Sequence, residues 1–400
     1  MKTPPITKLI LKSFRSFPSA TLDFDNPLFI VGRNGSGKSN FADAFSFISE
    51  AMSSPLQAVF DRRGGLDKVR NRRSTKSHPT NLGLSIKFGA SDDIDGGNFA
   101  FEVKAVENYG YEIVREQCQV MKKNGKMIWF DRVKNNWKSD PKDLKPALES
   151  SALALPLVGG DERFAPIFKA LSAMRVYSIE PAKLREMQDP DSGVALKPDG
   201  CNAASVLQEL LRKGDADLEN AINGFLEAIV PGTKSVTPKK LGKKLSMSFT
   251  QKWGEKNRLN FEAFNMSDGT LRSLGLIMAV FQKPSPGVLV IEEPESSIHP
   301  GALGSILDLI RRASKFMQVV VTTHSPELLD NPWIKDNNLR IITWREGASY
   351  LSLPSEASRL AMQKHLMGAG ELLRSNALHP VELFHDQNMF RQTEFFPKNA

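Results

Sequence analysis

Apolar and polar residues alternate along many stretches of the chain, which is the pattern of strands that bury one face. These stretches are residues 6–14, 21–24, 82–88, 99–130, 174–179, 245–249 and 258–264, and the continuously apolar residues 28–31 predict a further, buried strand. Turn sequences such as Lys123-Asn124-Gly125 divide the longest of them into several antiparallel strands. The first third of the chain is therefore predicted to be rich in antiparallel β-structure.

Helical spacing of apolar residues replaces this alternation elsewhere in the chain. The stretches that predict helices are residues 39–52, 141–171, 203–211 and 218–229. No heptad with apolar a and d positions is sustained anywhere, so we expect no long coiled coil.

Residues 32–39, Gly-Arg-Asn-Gly-Ser-Gly-Lys-Ser, fit the phosphate-binding pattern G-x-x-x-x-G-K-[ST] without departure. A short apolar strand precedes the motif and a helical pattern follows it, the order in which backbone N–H groups and a helix N-terminus surround phosphate oxygens. Lys38 is expected to reach the β- and γ-phosphates, and the Ser39 hydroxyl to ligate Mg²⁺. The sequence therefore predicts a site for a nucleoside triphosphate. Its expected binding residues are Asn34, Gly35, Ser36, Gly37, Lys38 and Ser39.

Two later stretches, residues 288–295 and 319–326, are apolar runs that end in polar side chains. Continuous apolar runs are typical of buried parallel strands, and α/β sites lie at the C-terminal ends of such strands. There Glu292 could hold the Mg²⁺ water shell, and Glu293 could orient or deprotonate an attacking water. His324 is either a structural histidine or a hydrogen-bond donor to a γ-phosphate oxygen.

Ser267-Asp268-Gly269 precedes a helical run of apolar residues. Ser267 is a good N-cap residue, and a Ser–Gly pair at a helix N-terminus also forms an anion site. The residues alone allow both interpretations.

Together these motifs resemble the ATP-binding cassette (ABC) ATPase heads of the SMC/RecF kind. Residues 32–39 resemble Walker A, Ser267 and Gly269 the signature motif, Glu292 and Glu293 the Walker B pair, residues 296–300 the D-loop and His324 the switch histidine. The resemblance implies an α/β P-loop NTPase fold of the ABC-ATPase head type. It predicts a mixed central sheet with an antiparallel β subdomain and a helical insert.

The same resemblance implies what the protein does. ATP and Mg²⁺ are the expected cofactors, and ATP is expected to be hydrolysed to ADP and phosphate, with Glu293 and His324 as the catalytic residues. Glu292 and Ser39 are the expected metal ligands. Two heads are expected to form a head-to-tail homodimer, in which each ATP is held by the Walker motifs of one head and the signature Ser–Gly of the other.

The sequences of residues 291–300 and 322–329 further resemble those of compact ATPases related to the overcoming-lysogeny-defect proteins. Such ATPases often accompany phage-defence or toxin–antitoxin effectors. Two features depart from the wider pattern. Glu292 replaces the usual Asp, which lengthens the metal-side carboxylate by one methylene. The Q-loop glutamine also has no assigned equivalent, since Gln57 lies early and Gln188 late in the chain.

Composition and charge limit where the protein is expected to act and what it is expected to bind. The chain has 400 residues, of which 40% are hydrophobic and 24% charged, with a net charge of +8. No apolar run approaches the ~20 residues that cross a bilayer, and two cysteines form no disulfide framework, so a cytoplasmic location is expected. Positive charge is concentrated in the segments Arg62–Lys76 and Lys239–Lys244, which are either contacts for double-stranded DNA or solvated faces.

Five regions are expected along the chain: 1–100, an N-terminal lobe with Walker A; 101–180, a β/helical insert; 181–260, a helical subdomain; 261–346, a C-terminal lobe with the remaining motifs; and 347–400, a tail. Two functions remain open. The ATPase either controls a DNA-related or anti-phage effector, or is a scaffold or antitoxin-like regulator of a partner toxin or nuclease without binding DNA. The tail phenylalanines are either a docking segment or a packed C-terminus; they are Phe384, Phe390, Phe395 and Phe396.

Overall fold

The computed structural model describes residues 3–71, 81–107, 110–212, 214–253, 257–381 and 392–398. The strands in these residues are β1 Ile6–Phe14, β2 Phe17–Asp23, β3 Leu28–Val31, β4 Leu82–Phe88, β5 Ile94–Ala105, β6 Tyr111–Lys122, β7 Met127–Val133, β8 Asn136–Asp140, β9 Met174–Tyr177, β10 Thr233–Leu241, β11 Lys244–Trp253, β12 Asn257–Glu262, β13 Val288–Glu292, β14 Gln318–Thr323, β15 Leu339–Arg345 and β16 Ala348–Ser352. The α-helices are α1 Lys38–Ser53, α2 Leu56–Asp61, α3 Leu66–Val69, α4 Leu155–Val158, α5 Ala165–Ser172, α6 Pro181–Arg185, α7 Ala203–Arg212, α8 Ala216–Ile229, α9 Asp268–Phe281, α10 Leu303–Ala313, α11 Pro326–Leu329, α12 Glu356–Gln363, α13 Ala369–Arg374 and α14 Gln392–Phe395.

A six-stranded sheet in the order β16-β15-β3-β14-β13-β9 forms the centre of the molecule. Its strands are parallel except β16, which pairs antiparallel with β15. Leu28 and Ile30 of β3 belong to the hydrophobic cluster on one face, and Phe29 and Val31 belong to the cluster on the other. Because both faces are buried, β3 is apolar throughout and β13 is apolar up to Glu292. Because the strands are parallel, their C-terminal ends meet at one edge.

Helix α1 lies between the central sheet and a seven-stranded antiparallel sheet, whose order is β2-β1-β4-β5-β6-β7-β8. The ring of Phe41 in α1 contacts Phe17 edge-on with a centroid distance of 5.9 Å, and Phe47 contacts Phe14 at 5.7 Å. Edge-to-face aromatic pairs add to the free energy of burial. The helix is thereby held with its N-terminus at the end of β3.

The other face of the central sheet is covered by α7, α8, α9 and α10 and by a small sheet in the order β10-β11-β12. Helix α9 is buried along most of its length, from Thr270 to Val280. Gly269, in its first turn, packs against the carbonyl oxygen of Ser297, so the N-terminus of this helix lies beside the loop that follows β13.

The structure confirms the predicted fold class, with a mixed central sheet and an antiparallel β subdomain, and the described residues contain no coiled coil. Strand β5 runs across residue 100, so one antiparallel sheet joins the first two of the five expected regions. No helix among the described residues is long and apolar enough to cross a membrane.

The helix predicted from residue 141 is wrong for its first part, because residues 141–154 contain no helix. Tertiary hydrogen bonds occupy the carbonyl groups that a helix would use. The buried guanidinium of Arg132 donates to the carbonyl oxygens of Glu149 and of Ala152, the latter at 2.6 Å, and the indole N–H of Trp137 donates to the carbonyl oxygen of Leu144 at 2.8 Å. The apolar side chains of this segment instead pack against the antiparallel sheet.

Candidate active site

The loop between β3 and α1 is shaped by two glycines with positive φ angles, 76° at Gly35 and 108° at Gly37. A Cβ atom on Gly37 would lie 2.2 Å from the Oγ of Ser349 and 2.8 Å from the Oγ of Ser16, so only glycine fits there. The loop therefore packs closely against β16. Its turn brings backbone N–H groups around the N-terminus of α1.

Lys38, the first residue of α1, folds its side chain back over the loop. Its Nζ donates to the carbonyl oxygens of Gly32 at 2.9 Å and of Arg33 at 3.3 Å. The same Nζ lies 3.5 Å from the Oε1 of Glu293, and the Lys38 side chain is only 5% exposed. The ammonium group is therefore placed where phosphate oxygens resting on the loop would meet it.

Glu292 ends β13, with the Ser39 hydroxyl near its carboxylate. Burial raises the pKa of Glu292, and the negative charges of Glu293 and Asp43 raise it further, while the Ser39 hydroxyl and Lys38 oppose them. A divalent cation would relieve this accumulation of negative charge, so the residues fit Mg²⁺. The described residues contain no group of three or more His, Cys, Asp or Glu able to hold a metal, so phosphate oxygens would complete its ligand shell.

Glu293 and His324 lie beside Lys38, at the ends of adjacent parallel strands. The Oε1 of Glu293 is 3.2 Å from the Nδ1 of His324. The backbone N–H of Glu293 donates to the carbonyl oxygen of Thr322 at 2.9 Å, which fixes the residue in a left-handed conformation with φ of 44°. A carboxylate held this way, 35% exposed, can accept a proton from water in the open side of the site.

Glu295 was missed by sequence reasoning. Its side chain is 8% exposed, and its Oε1 accepts hydrogen bonds from the Thr323 Oγ1 at 2.6 Å and from the His324 backbone N–H at 3.3 Å. These two hydrogen bonds from Glu295 therefore hold the backbone at His324 in place. Its place in the acidic run after β13 was the available signal.

Arg272, on α9, was also missed, and no sequence pattern marks it. Its guanidinium donates to the carbonyl oxygens of Ile179 at 3.0 Å, Glu293 at 3.1 Å and Glu292 at 3.3 Å. Burial lowers the pKa of Arg272, although three nearby glutamates oppose that shift. The arginine joins α9 to the end of β13.

Ser267 and Gly269 make their described contacts away from the loop of their own chain. Ser267 caps α9, since its Oγ accepts from the Thr270 backbone N–H at 3.2 Å. A Cβ on Gly269 would lie 2.4 Å from the carbonyl oxygen of Ser297, so this glycine packs against the predicted D-loop segment. The fold thus assembles Lys38, Ser39, Glu292, Glu293 and His324 in one place, and Ser267 and Gly269 in another.

The described residues of the two basic segments are largely paired with acidic side chains. Arg63 contacts Asp43 at 2.9 Å and Glu50 at 2.8 Å, and its own side chain is only 8% exposed. Arg62 pairs with Glu50, Arg70 with Asp67, Lys239 with Glu262 and Lys244 with Asp189. Arg72, Arg73 and Lys76 lie outside the described residues. Positive charge in these segments is therefore partly offset within the chain.

The two candidates for a Q-loop glutamine are engaged elsewhere. The Gln57 side chain donates to Asp61 at 2.8 Å on the surface. Gln188 is buried, and its side-chain oxygen accepts from the Ala204 backbone N–H at 2.8 Å. Neither contact involves the phosphate loop.

Known protein families and solved structures resemble this chain in sequence and fold. Residues 161–330 match a family described as "AAA domain, putative AbiEii toxin, Type IV TA system", and residues 8–187 match a second AAA domain family. The crystal structure of an Smc head bound to the C-terminal winged-helix domain of ScpA superposes with a TM-score of 0.56 at 17% identity, covering 89% of this chain and 99% of that one. The chain has the fold of an SMC head domain.

A second Smc head, with an extended coiled coil and bound to the C-terminal domain of ScpA, from Pyrococcus furiosus, gives a TM-score of 0.56 at 14% identity. It covers 91% of this chain and is itself covered to 99%. No curated protein matches the chain by sequence. The likeness to the overcoming-lysogeny-defect proteins stays a prediction.

Proposed function

We propose that this ATPase head binds ATP with Mg²⁺ and hydrolyses it to ADP and phosphate. The observation that carries the proposal is the position of the Glu293 carboxylate, 3.5 Å from the Lys38 ammonium group and 3.2 Å from the His324 ring. Glu293 would take a proton from the attacking water, and His324 would donate to the γ-phosphate. Ser39 and Glu292 would hold Mg²⁺, which neutralises phosphate charge when bound.

Two copies are proposed to dimerise head-to-tail on ATP. Ser267 lies at an exposed helix N-terminus and has no described contact with the phosphate loop of its own chain. A helix N-terminus with a serine hydroxyl suits an anion, so Ser267 and Gly269 are suited to the γ-phosphate held by a second copy. ATP would then hold the dimer together, and hydrolysis would release it.

The dimer cycle is proposed to control an effector, in a DNA-related or anti-phage defence role. One matching family is named for a putative toxin of a toxin–antitoxin system, and both Smc heads are described with ScpA bound, which supports a protein partner. A scaffold or antitoxin-like regulator of a toxin or nuclease is the second candidate. The ion pairs of Arg63 and Lys244 favour it over direct contact with double-stranded DNA, because their charge is offset.

Hydrolysis by the wild-type chain and by E293Q, each with and without double-stranded DNA, tests the proposal. E293Q is expected to lose hydrolysis about 100-fold or more while still binding ATP, and to accumulate as a dimer on sizing. K38A is expected to lose ATP binding. Full activity in E293Q, or unchanged ATP affinity in K38A, would contradict the assigned site. Stimulation by DNA supports a DNA-related role, and indifference to DNA supports a protein partner.

A further inference from the structure

Two large apolar side chains protrude beside the signature motif. Phe264 is 75% exposed and Met187 is 60% exposed. The guanidinium of Arg185 donates to the carbonyl oxygen of Met266 at 3.1 Å and pairs with Asp268, so the segments that carry the two side chains lie next to each other. We refer to Phe264 and Met187 together as the apolar knob. Exposed apolar groups that cluster beside a functional motif mark an interaction surface.

A cavity of about 440 Å³ opens beside the phosphate loop. Residues 31–36 form one side of it, and strand β15 and the segment 373–380 form the others. Its apolar wall includes Ile341, Ile342, Leu373 and Leu378. Trp344, which is 53% exposed, also lines the cavity. An aromatic side chain would find an apolar surface of suitable size there.

The head-to-tail arrangement brings these two features to the same place. Ser267 of one copy has to contact a γ-phosphate that rests on the phosphate loop of the other copy. Phe264 is three residues from Ser267 and so lies within about 10 Å of it along the chain. The cavity is lined by the phosphate loop itself. In that arrangement the apolar knob of one copy would lie within reach of the cavity of its partner.

Positive charge lines the cavity, and an exposed carboxylate lies beside Met187. Arg33 and Arg345 line the cavity, and the Arg33 guanidinium donates to the neutral side chain of Asn376 at 3.2 Å, which leaves its charge in place. On the knob side, Glu186 is exposed, and the positive charge of Arg185 is offset by Asp268. Unlike charges at the rim of an interface favour association and fix its orientation.

We propose that Phe264, with Met187 beside it, inserts into the cavity next to the phosphate loop of a second copy of this chain. The inference rests on the proposed head-to-tail dimer and adds the residues that hold it. Two-fold symmetry would form the contact twice, on either side of the two ATP molecules. A buried aromatic side chain at the centre of an interface commonly dominates its binding free energy.

Dimerisation of the E293Q chain in ATP and Mg²⁺, followed by analytical ultracentrifugation, tests the contact. E293Q/F264A is expected to raise the dimer dissociation constant about tenfold or more. The matched control is E293Q/F316A, because Phe316 is also a surface phenylalanine, 65% exposed, on the loop after α10. Its dissociation constant is expected to be unchanged, and all three chains are expected to bind ATP equally.

Cross-linking locates the contact. One copy carries F264C and a second, separately tagged copy carries N376C, both with Cys201 replaced by serine; Cys118 is buried. A short bismaleimide is expected to join the two tags only with ATP, and F316C in place of F264C is expected to give no product. If E293Q forms no ATP dimer, the proposed function fails and the inference fails with it. If E293Q dimerises but F264A does not weaken it, or F316C cross-links equally well, the inference alone is overturned.

Discussion

Among the single residues of the site, Glu292 has surroundings that oppose its negative charge. It is half-buried beside the Ser39 hydroxyl, with Glu293 and Asp43 adding negative charge nearby. These surroundings raise its pKa, so its protons leave at a higher pH than those of an ordinary glutamate. A proton and a divalent cation therefore compete for the same carboxylate.

This competition gives a pH dependence. As pH falls through the raised pKa, Glu292 becomes neutral, so the Mg²⁺ concentration for half-maximal ATP hydrolysis is expected to rise. In E292Q that concentration is expected to be high at every pH. Mg²⁺ titrations of hydrolysis, repeated in steps from neutral pH down towards the ordinary glutamate pKa of 4.5, measure the effect. E292Q also corrects for protons bound by ATP itself. Equal pH slopes in the two chains would show that Glu292 does not hold the cation.

Among the secondary-structure elements, the junction of α9 with β13 depends on one side chain. Arg272 spans three carbonyl oxygens from two segments, which places the capped N-terminus of α9 relative to Glu292 and Glu293. A planar guanidinium can serve several acceptors at once, and a lysine ammonium group cannot reproduce that geometry.

R272K is expected to lower the free energy of unfolding by about 1–3 kcal/mol, because buried carbonyl oxygens lose their donors. Hydrolysis is expected to fall while ATP affinity stays near wild type, since the phosphate loop is untouched. Urea unfolding and ATP titration measure the two effects. R212K is the control, because Arg212 is exposed and pairs within its own helix. Equal stability of R272K and R212K would argue against this role.

At the scale of the whole molecule, residues 392–398 return to the antiparallel sheet near the start of the chain. Phe395 is fully buried, and its carbonyl oxygen accepts from the Ser85 hydroxyl at 3.1 Å. The Gln117 amide donates to the carbonyl oxygen of Pro397 at 3.0 Å, and the Arg115 guanidinium lies 4.4 Å from the Phe396 ring centroid. For these two phenylalanines the packed alternative is correct; Phe384 and Phe390 lie outside the described residues.

F395A is expected to lower the free energy of unfolding by about 3–5 kcal/mol, the cost of a cavity left by a buried phenylalanine. Its ring fills the space that Gly83 leaves open, where a Cβ would lie 2.8 Å from the Phe395 Cζ. Urea unfolding measures the loss, and F316A, at an exposed position, is expected to change stability by less than about 0.5 kcal/mol. A neutral F395A would mean that the segment contributes little to the sheet.

By itself, the sequence determined the parallel core and the residues grouped at its edge. Lys38, Glu292, Glu293 and His324 follow apolar runs, and local periodicity together with side-chain chemistry is enough to predict that such strand ends meet. The same pattern misled at residues 141–154, because apolar spacing does not reveal which hydrogen bonds a segment will make.

Only the tertiary structure decided the contacts between residues far apart in the chain. Three such contacts are the packing of Ser349 against Gly37, the hydrogen bonds from Arg272 to carbonyl oxygens of two segments, and the burial of Phe395 against the antiparallel sheet. All three depend on how complete secondary-structure elements pack against one another. Those contacts carry no local signature, because each side chain is ordinary for its own element. Their geometry is set by close packing across the whole core, which no single stretch of sequence encodes.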